Sequence, residues 1–246
     1  MNTFLWTVLA TLIDSIVALI GVISLWISKK TLNKWITSLA AFATGALLAG
    51  AIIHLFHESL EKLTYSVSSG ILLFGFVSFF IAEKLIHWHH CIERGECKKA
   101  GTKSFVSLIL IGDGLHNFID GVVIAASFLV GVPFGIITTL LVIGHEVPQE
   151  IGDFAILVYG GLTRGKAVFY NFISQTTCVL GGIIGYYIAS LYNLSFYLLP
   201  FAAGGFIYIA ASDLIPELNK EEGFLKTMVL FLVGIFVIVF LKMIMH

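Results

Sequence analysis

Two short runs concentrate the chemistry of this chain. GDGLHNFIDG occupies residues 112–121 and GHEVPQEIGD occupies residues 144–153. They set Asp113, His116, Asn117, Asp120, His145, Glu146, Gln149, Glu150 and Asp153 within otherwise apolar sequence. Imidazole nitrogen combined with carboxylate oxygen suits zinc and its neighbours in the first transition row. Neither run holds a cysteine, which argues against a thiolate copper(I) site. Two histidines argue against an all-oxygen magnesium or calcium cage. On helices, residues four apart share a face. His116 pairs with Asp120 in this way, His145 with Gln149, and Glu146 with Glu150, while Asn117 lies one step round. Pro148 lacks a backbone donor and clashes with the carbonyl of Gly144, so the second run predicts a bent helix with a freed carbonyl. Such broken helices are tolerated at membrane depth where they line a cavity.

The elements that must position these residues are membrane spans. Of 246 residues, 58% are hydrophobic and 12% charged, about half of the roughly 25% usual in soluble domains. A formal net charge of −1 supplies no field for nucleic acid. Helical spans need about 20 mostly apolar residues, and eight such stretches can be drawn: about 3–27, 35–57, 69–88, 104–130, 132–160, 166–191, 195–214 and 224–244. The expected fold is therefore an all-α integral membrane bundle of eight transmembrane helices, with residues 1–246 forming a single transmembrane domain. The two polar runs fall in the fourth and fifth spans. Met1 to Thr7 has no Lys or Arg, so no cleavable signal is expected and the first stretch reads as a retained span.

With eight spans, alternate loops share a side. Twelve of the 14 basic residues fall on one side: Lys29, Lys30, Lys34, Lys84, Arg94, Lys98, Lys99, Lys103, Arg164, Lys166, Lys220 and Lys226. Lys62 and Lys242 fall on the other. The positive-inside rule then places both termini outside the cytoplasm. Cys91, Cys97 and Cys178 are too few for a disulfide framework. The first two face a reducing compartment and read as free thiols.

An ionised side chain at a helix centre costs about 2.5–3.5 kcal/mol on insertion scales. The two runs hold five acids, and from Ser104 through Thr163 there is no Lys or Arg. Protons or bound metal cations are left to offset the charge, because unpaired buried charges do not persist. A metal bound there needs deprotonated ligands, so affinity should fall in acid.

Accessory positions follow the same logic. His54, His57 and Glu58 lie near the external end of the second span and read as a metal-collecting funnel or as an interfacial helix end. Asp213 and Glu217 lie near the cytoplasmic end of the seventh and read as an exit step. Asp14, in mid-span one, is a weaker candidate. The cytoplasmic loop of residues 89–103, with His87, His89, His90, Cys91 and Cys97 in and beside it, has a metal-binding composition that would receive or sense an ion. It reads equally as a solvated basic loop.

At HNFIDG (116–121) and HEVPQEIGD (145–153) the sequence resembles the ZIP family of metal-ion transporters, closest to the branch with a HExPHExGD-type signature in helix five. EKLIHWHH (83–90) and SDLIPEL (212–218) also resemble family motifs, and the likeness covers nearly the whole chain. The resemblance implies a ZIP-type bundle of eight helices with external termini and a metal site between helices four and five. It implies His116, Asn117, Asp120, His145, Glu146 and Gln149 as transport-site ligands, with Glu150 a further one. The implied cargo is zinc, with Fe2+, Mn2+ or Cd2+ as others, carried into the cytoplasm by a transporter and not an enzyme. Two departures bear on the cargo. Gln149 stands where many relatives of the branch have a second histidine, and Gln is a weaker zinc ligand. NFISQTTC (171–178) lacks the helix-six acid that helps some members hold a second metal. The resemblance also implies a homodimer, for which Gly181, Gly182 and Gly185 would permit close helix contacts. The compact loops fit a multi-pass protein of a plasma membrane, in particular a prokaryotic inner membrane.

Two other functions compete. HEVPQE begins like the helix of an intramembrane metal-dependent hydrolase, but HExxH is absent and the proline breaks the helix it would need. A proton channel or exchanger would use the acids and leave the His and amide ligands unexplained.

Overall fold

In a bilayer core each backbone polar group must find its partner within the chain, which leaves helices as the economical solution. The computed structural model describes residues 2–17, 19–20, 29–92, 102–159, 161–219 and 223–245, and among the described residues there are helices and turns but no strands. Helix α1 covers Thr3–Val17. Helix α2 runs over Lys29–Ala49, widens into π-helical turns over Gly50–Phe56 and closes with His57–Ser59. Helix α3 covers Tyr65–Ile92, α4 Thr102–Val130 and α5 Val132–Tyr159. Helix α6 is built from Arg164–Gln175 and Thr177–Tyr192, broken at Thr176. Helix α7 runs over Ser195–Ile209, widens over Ala210–Leu214 and ends with Ile215–Leu218. Helix α8 covers Phe224–Met245.

Six of these are long and apolar enough to cross a membrane by length and composition: the ranges Thr37–Ser59, Tyr65–Leu85, Leu110–Val130, Arg164–Tyr192, Ser195–Ser212 and Phe224–Ile244. The described part of α1 is shorter, and much of the remainder of the first expected span, residues 18 and 21–28, lies outside the described residues. Helix α5 is long and continuous through Pro148, but the polar run breaks its apolar sequence.

The breaks follow local backbone chemistry. Gly131 alone separates α4 from α5, and Pro133 sits in the first turn of α5, where its missing N–H costs nothing. Asn193 ends α6 in the left-handed conformation (φ 53°), with Leu194 N–H donating back to the Ala189 carbonyl at 3.0 Å. That is a helix stop asparagine tolerates well, and it sets the α6–α7 boundary expected near this residue.

Helices α1, α4, α5 and α6 pack on one another, while α2 pairs with α8 and α3 with α7. Leu47, Leu55, Ile124, Phe128, Leu141 and Phe206 form the main apolar core where α2, α4, α5 and α7 meet. Helices α3 and α8 carry exposed Leu73, Phe74, Phe236 and Phe240 on their outer faces, apolar surface of the kind a lipid bilayer covers.

The tightest approach is α4 on α6. A Cβ at Gly121 would stand 2.0 Å from the Cys178 carbonyl oxygen, and one at Gly181 would stand 1.9 Å from that of Phe118. Gly182 meets Thr11 of α1, and Gly185 meets Val122 of α4. These glycines of α6 serve contacts within the chain. They therefore supply no argument for contact between copies.

Candidate metal site

The single-residue link at Gly131 folds α5 back along α4 and sets their register. His116 precedes Gly131 by fifteen residues and Glu146 follows it by fifteen, so the two come to the same depth. His116, Asp120, His145 and Glu146 each offer one ligand atom, and these four atoms lie within 4.8 Å of one another. His116 Nε2 lies 3.2 Å from His145 Nε2, 3.5 Å from Asp120 Oδ2 and 3.4 Å from Glu146 Oε1. His145 Nε2 lies 3.2 Å from Asp120 Oδ2 and 3.8 Å from Glu146 Oε1. Asp120, His145 and Glu146 are buried, and the His116 side chain keeps 14% exposure, making it the group's point of access.

Hydrogen bonding aims the imidazoles. His145 Nδ1 is 3.1 Å from the Leu141 carbonyl oxygen. A carbonyl can only accept, so Nδ1 carries the proton and Nε2 turns its lone pair into the cluster. This is the usual arrangement of a metal-ligating histidine. Two Nε2 atoms 3.2 Å apart with both lone pairs facing would repel, so a proton or a cation must lie between them.

The surroundings are rich in acceptors. Among the described residues, the buried oxygens without a hydrogen-bond partner include Asp113 Oδ2, Asn117 Oδ1, Asp120 Oδ2, both carboxylate oxygens of Glu146, and Glu150 Oε1. No lysine or arginine is buried among the described residues. Four ionised acids left alone here would cost on the order of 12 kcal/mol, comparable to the whole net stability of a domain, about 5–15 kcal/mol. The cluster must hold positive charge, as protons or as metal.

The other expected residues surround this group. Asn117 is buried; its Nδ2 donates to Asp113 Oδ1 at 2.8 Å and to the Asp113 carbonyl at 3.0 Å, which leaves its own Oδ1 free. Gln149 lies alongside Asp113. Glu150 is buried outside the four-residue group and accepts a hydrogen bond from Asn171 of α6. The expected pairs His145/Gln149 and Glu146/Glu150 are thus divided between layers. The fold-back about Gly131 brings the first member of each against His116 and Asp120, and carries the second toward Asp113 and α6.

His54 sits in the π-helical turns of α2, stacked on Phe134 at 3.8 Å between ring centroids, with Nε2 3.1 Å from Thr138 Oγ1. With Glu58, Pro133 and Lys242 it lines a cavity of about 180 Å³. His57 is exposed. Asp213 falls in the wide turns of α7 and Glu217 in the closing helix, with their side chains outside the described residues. The side chains of His87 to Cys91, and residues 93–101 entirely, also lie outside the described residues.

Two polar positions, Asn171 and Gln175, went unread in the sequence. Asp113 anchors Asn117, Asn171 anchors Glu150, and Gln175 donates to Asp14 at 3.0 Å. Asn171 and Gln175 stand four apart on α6, a signal available to a search for amides as well as acids. Replacing Asn171 with Leu removes the donor and keeps the shape. We expect about 1–3 kcal/mol of destabilisation, read as a lowered thermal midpoint of the detergent-solubilised protein.

A helical bundle with apolar outer faces and a buried imidazole–carboxylate group defines a multi-pass membrane protein able to meet a cation. The family profile described as ZIP Zinc transporter matches residues 89–242. The human protein named Zinc transporter ZIP10 is 35% identical over 153 residues, 56% of this chain and 18% of its own length. The Zinc transporter YKE4 of Saccharomyces cerevisiae is 32% identical over 208 residues, 73% of this chain and 60% of its own. The Metal cation symporter ZIP14 of Xenopus tropicalis is 43% identical over 121 residues, 47% of this chain and 26% of its own. The chain belongs to the ZIP family, whose named relatives are transporters and not enzymes. It spans less than two thirds of the length of these relatives.

Proposed function

We propose that this chain carries zinc, or a similar divalent transition-metal ion such as Fe2+, Mn2+ or Cd2+, across a plasma membrane into the cytoplasm. One observation carries the reading: two imidazoles and two carboxylates converge at a buried position with no basic residue among them. A hydrated ion arrives past His54, sheds water, and is held by His116, Asp120, His145 and Glu146. Asn117, Gln149 and Glu150 stand one turn on as a continuation of the path, and the ion leaves past Asp213 and Glu217. In this reading the chain is a single transmembrane domain of eight spans with both termini outside the cytoplasm. The basic-residue asymmetry supports that orientation, and α1 and α5 serve as the two spans beyond the six that qualify by length and composition. The homodimer rests on family resemblance.

The test is flux. Purified protein in proteoliposomes should take up radioactive zinc saturably with no organic substrate present. Failure to accumulate zinc, with cleavage of an added peptide, would favour the hydrolase; a proton current indifferent to zinc would favour the proton channel or exchanger. The relatives' names, which include two zinc transporters and a metal cation symporter, weigh for zinc and against both.

Acid should weaken binding. The imidazoles and carboxylates accept metal only when deprotonated, so lowering pH lets protons compete. Zinc affinity should drop by about tenfold per pH unit for each proton displaced, checked by equilibrium dialysis between neutral and mildly acid pH. A flat profile would contradict these ligand types.

A further inference from the structure

The cavity beside His54 contains a charge that the proposed ion path leaves unused. Its polar lining is His54 and Glu58 of α2 and Lys242 of α8; the rest, between Val130 and Ile137 at the α4–α5 junction, is apolar or glycine. Lys242 lies in the last turn of α8. A lysine near a helix end ordinarily snorkels, laying its stem on apolar surface and its ammonium in water. Here it turns inward. It is half-buried, and its Nζ donates to the Ile53 carbonyl at 2.7 Å. Ile53 belongs to the π-helical turns of α2 and directly precedes His54. The bond therefore pins the ammonium to the backbone one residue from that histidine.

The consequence is electrostatic. The carboxylate of Glu58 gives the cavity a negative charge, the ammonium of Lys242 a positive one, and a neutral His54 adds none. Without Lys242 the cavity would be an acidic cleft with apolar walls, of the kind that concentrates cations and raises their on-rates by about 10–10³. With Lys242 the two charges offset each other, and the pull on an arriving dication is removed. An ammonium has three donors and no acceptor, so it cannot ligate a metal. Its effect on a cation is repulsion alone. His54 also lies 3.1 Å from Thr138 Oγ1 of α5, and Thr138 precedes His145 by seven residues, about 10 Å along a helix. The ammonium thus stands upstream of the four-residue group and supplies none of its ligand atoms.

Resting on the entry path past His54, we propose that Lys242 is a tethered cation at the mouth of that path, which lowers the affinity with which divalent ions are taken up. It acts by charge and not by coordination. Zinc and cadmium, both dications, therefore feel it alike, whereas a residue that ligated the ion would tell them apart. The tether sets the outside concentration at which uptake begins, and the four-residue group sets which ions are held.

Initial uptake into proteoliposomes, followed against zinc concentration at low ionic strength, tests this. Lys242→Gln keeps an N–H donor without the charge, and Lys242→Arg keeps the charge. Half-saturating zinc should fall about tenfold in Lys242→Gln and in Lys242→Met, and Lys242→Arg should retain the wild-type value. Half-saturating cadmium should fall by the same factor as zinc. Salt screens charges open to solvent, so the gap between variant and wild type should narrow as ionic strength rises. Loss of a cap on Ile53 alone would lower the maximal rate, spare half-saturation and ignore salt, and that result would overturn the proposal. A second readout needs no transport. In a chain carrying Cys91→Ser, Cys97→Ser and Cys178→Ala, Val130→Cys places a single thiol on the cavity wall. Its rate of modification by cationic aminoethyl methanethiosulfonate is divided by its rate with the anionic sulfonatoethyl reagent, which cancels the thiol's own reactivity. That ratio should rise by more than about tenfold on Lys242→Met. An unchanged ratio would overturn the charge role whatever zinc does, and a raised ratio with unchanged half-saturating zinc would remove Lys242 from the ion's path. If the wild-type chain takes up no zinc, the transport reading fails, and the reagent ratio still decides whether Lys242 sets the charge of the cavity.

Discussion

Saturable zinc uptake disappears when His116 or Glu146 is replaced by alanine. Each residue supplies one of four ligand atoms lying within 4.8 Å of one another, and the group has no spare nitrogen. Changing only a residue that orients a ligand typically costs 10–100-fold in metal affinity, so removing a ligand itself should cost more than about 100-fold. At working zinc concentrations that leaves only the linear leak of the liposome. Glu146→Gln separates charge from shape. The amide keeps the volume but removes the negative charge, and in a group without basic partners it should impair uptake nearly as much as alanine does. The measurement is initial uptake against zinc concentration, on protein shown by size exclusion to be assembled. Wild-type saturation in either alanine variant would remove His116 or Glu146 from the ligand set.

The same substitution made at two glycines should shift stability in opposite directions. At Gly121 an added methyl would stand 2.0 Å from the Cys178 carbonyl oxygen and 2.6 Å from the Gly182 nitrogen. Both are backbone atoms of α6 and cannot rotate away. Overpacking typically costs 1–3 kcal/mol, and a clash against backbone falls at or above the upper figure. Helix α4 would be pushed off α6, moving His116 and Asp120 away from His145. At Gly70 of α3, nothing lies within 4 Å of the added atom, and alanine improves helix propensity by up to about 1 kcal/mol. Gly121→Ala should therefore lower the thermal midpoint sharply and broaden the size-exclusion peak, and Gly70→Ala should hold or raise it. Equal behaviour of the two would show that the α4–α6 contact is looser than the coordinates place it.

How much of this could be read beforehand depended on the kind of interaction. Helix boundaries were legible because Gly, Pro and Asn act locally. Gly131-Val132-Pro133 ended one helix and began the next, and Asn193 stopped α6 by its own left-handed backbone. The cluster itself was legible because acids in apolar sequence without basic neighbours conflict with their surroundings however the chain folds. The partners across helices were not legible. Spacing along one helix grouped His145 with Gln149, whereas the structure groups His145 with Glu146 and with α4. Periodicity describes which residues share a face; it says nothing of where another helix crosses that face. The π-helical turns at His54 and before Ile215 were invisible for a related reason, since a one-residue widening of a helix leaves no mark in composition.

From residues alone came the membrane environment, the metal-ligating chemistry, the family resemblance and the helices that carry the site, because each depends on side-chain type and on interactions within a few residues. Tertiary structure alone decided that His116, Asp120, His145 and Glu146 meet while Glu150 lies outside that group. It also decided that Asn171 holds Glu150, and that Asp14 of α1 reaches Gln175 and Cys178 of α6. Those partners are separated by 21 residues in one case and 161 in the other, and such contacts are set by how helices pack, through glycine contacts and register, which no local pattern encodes.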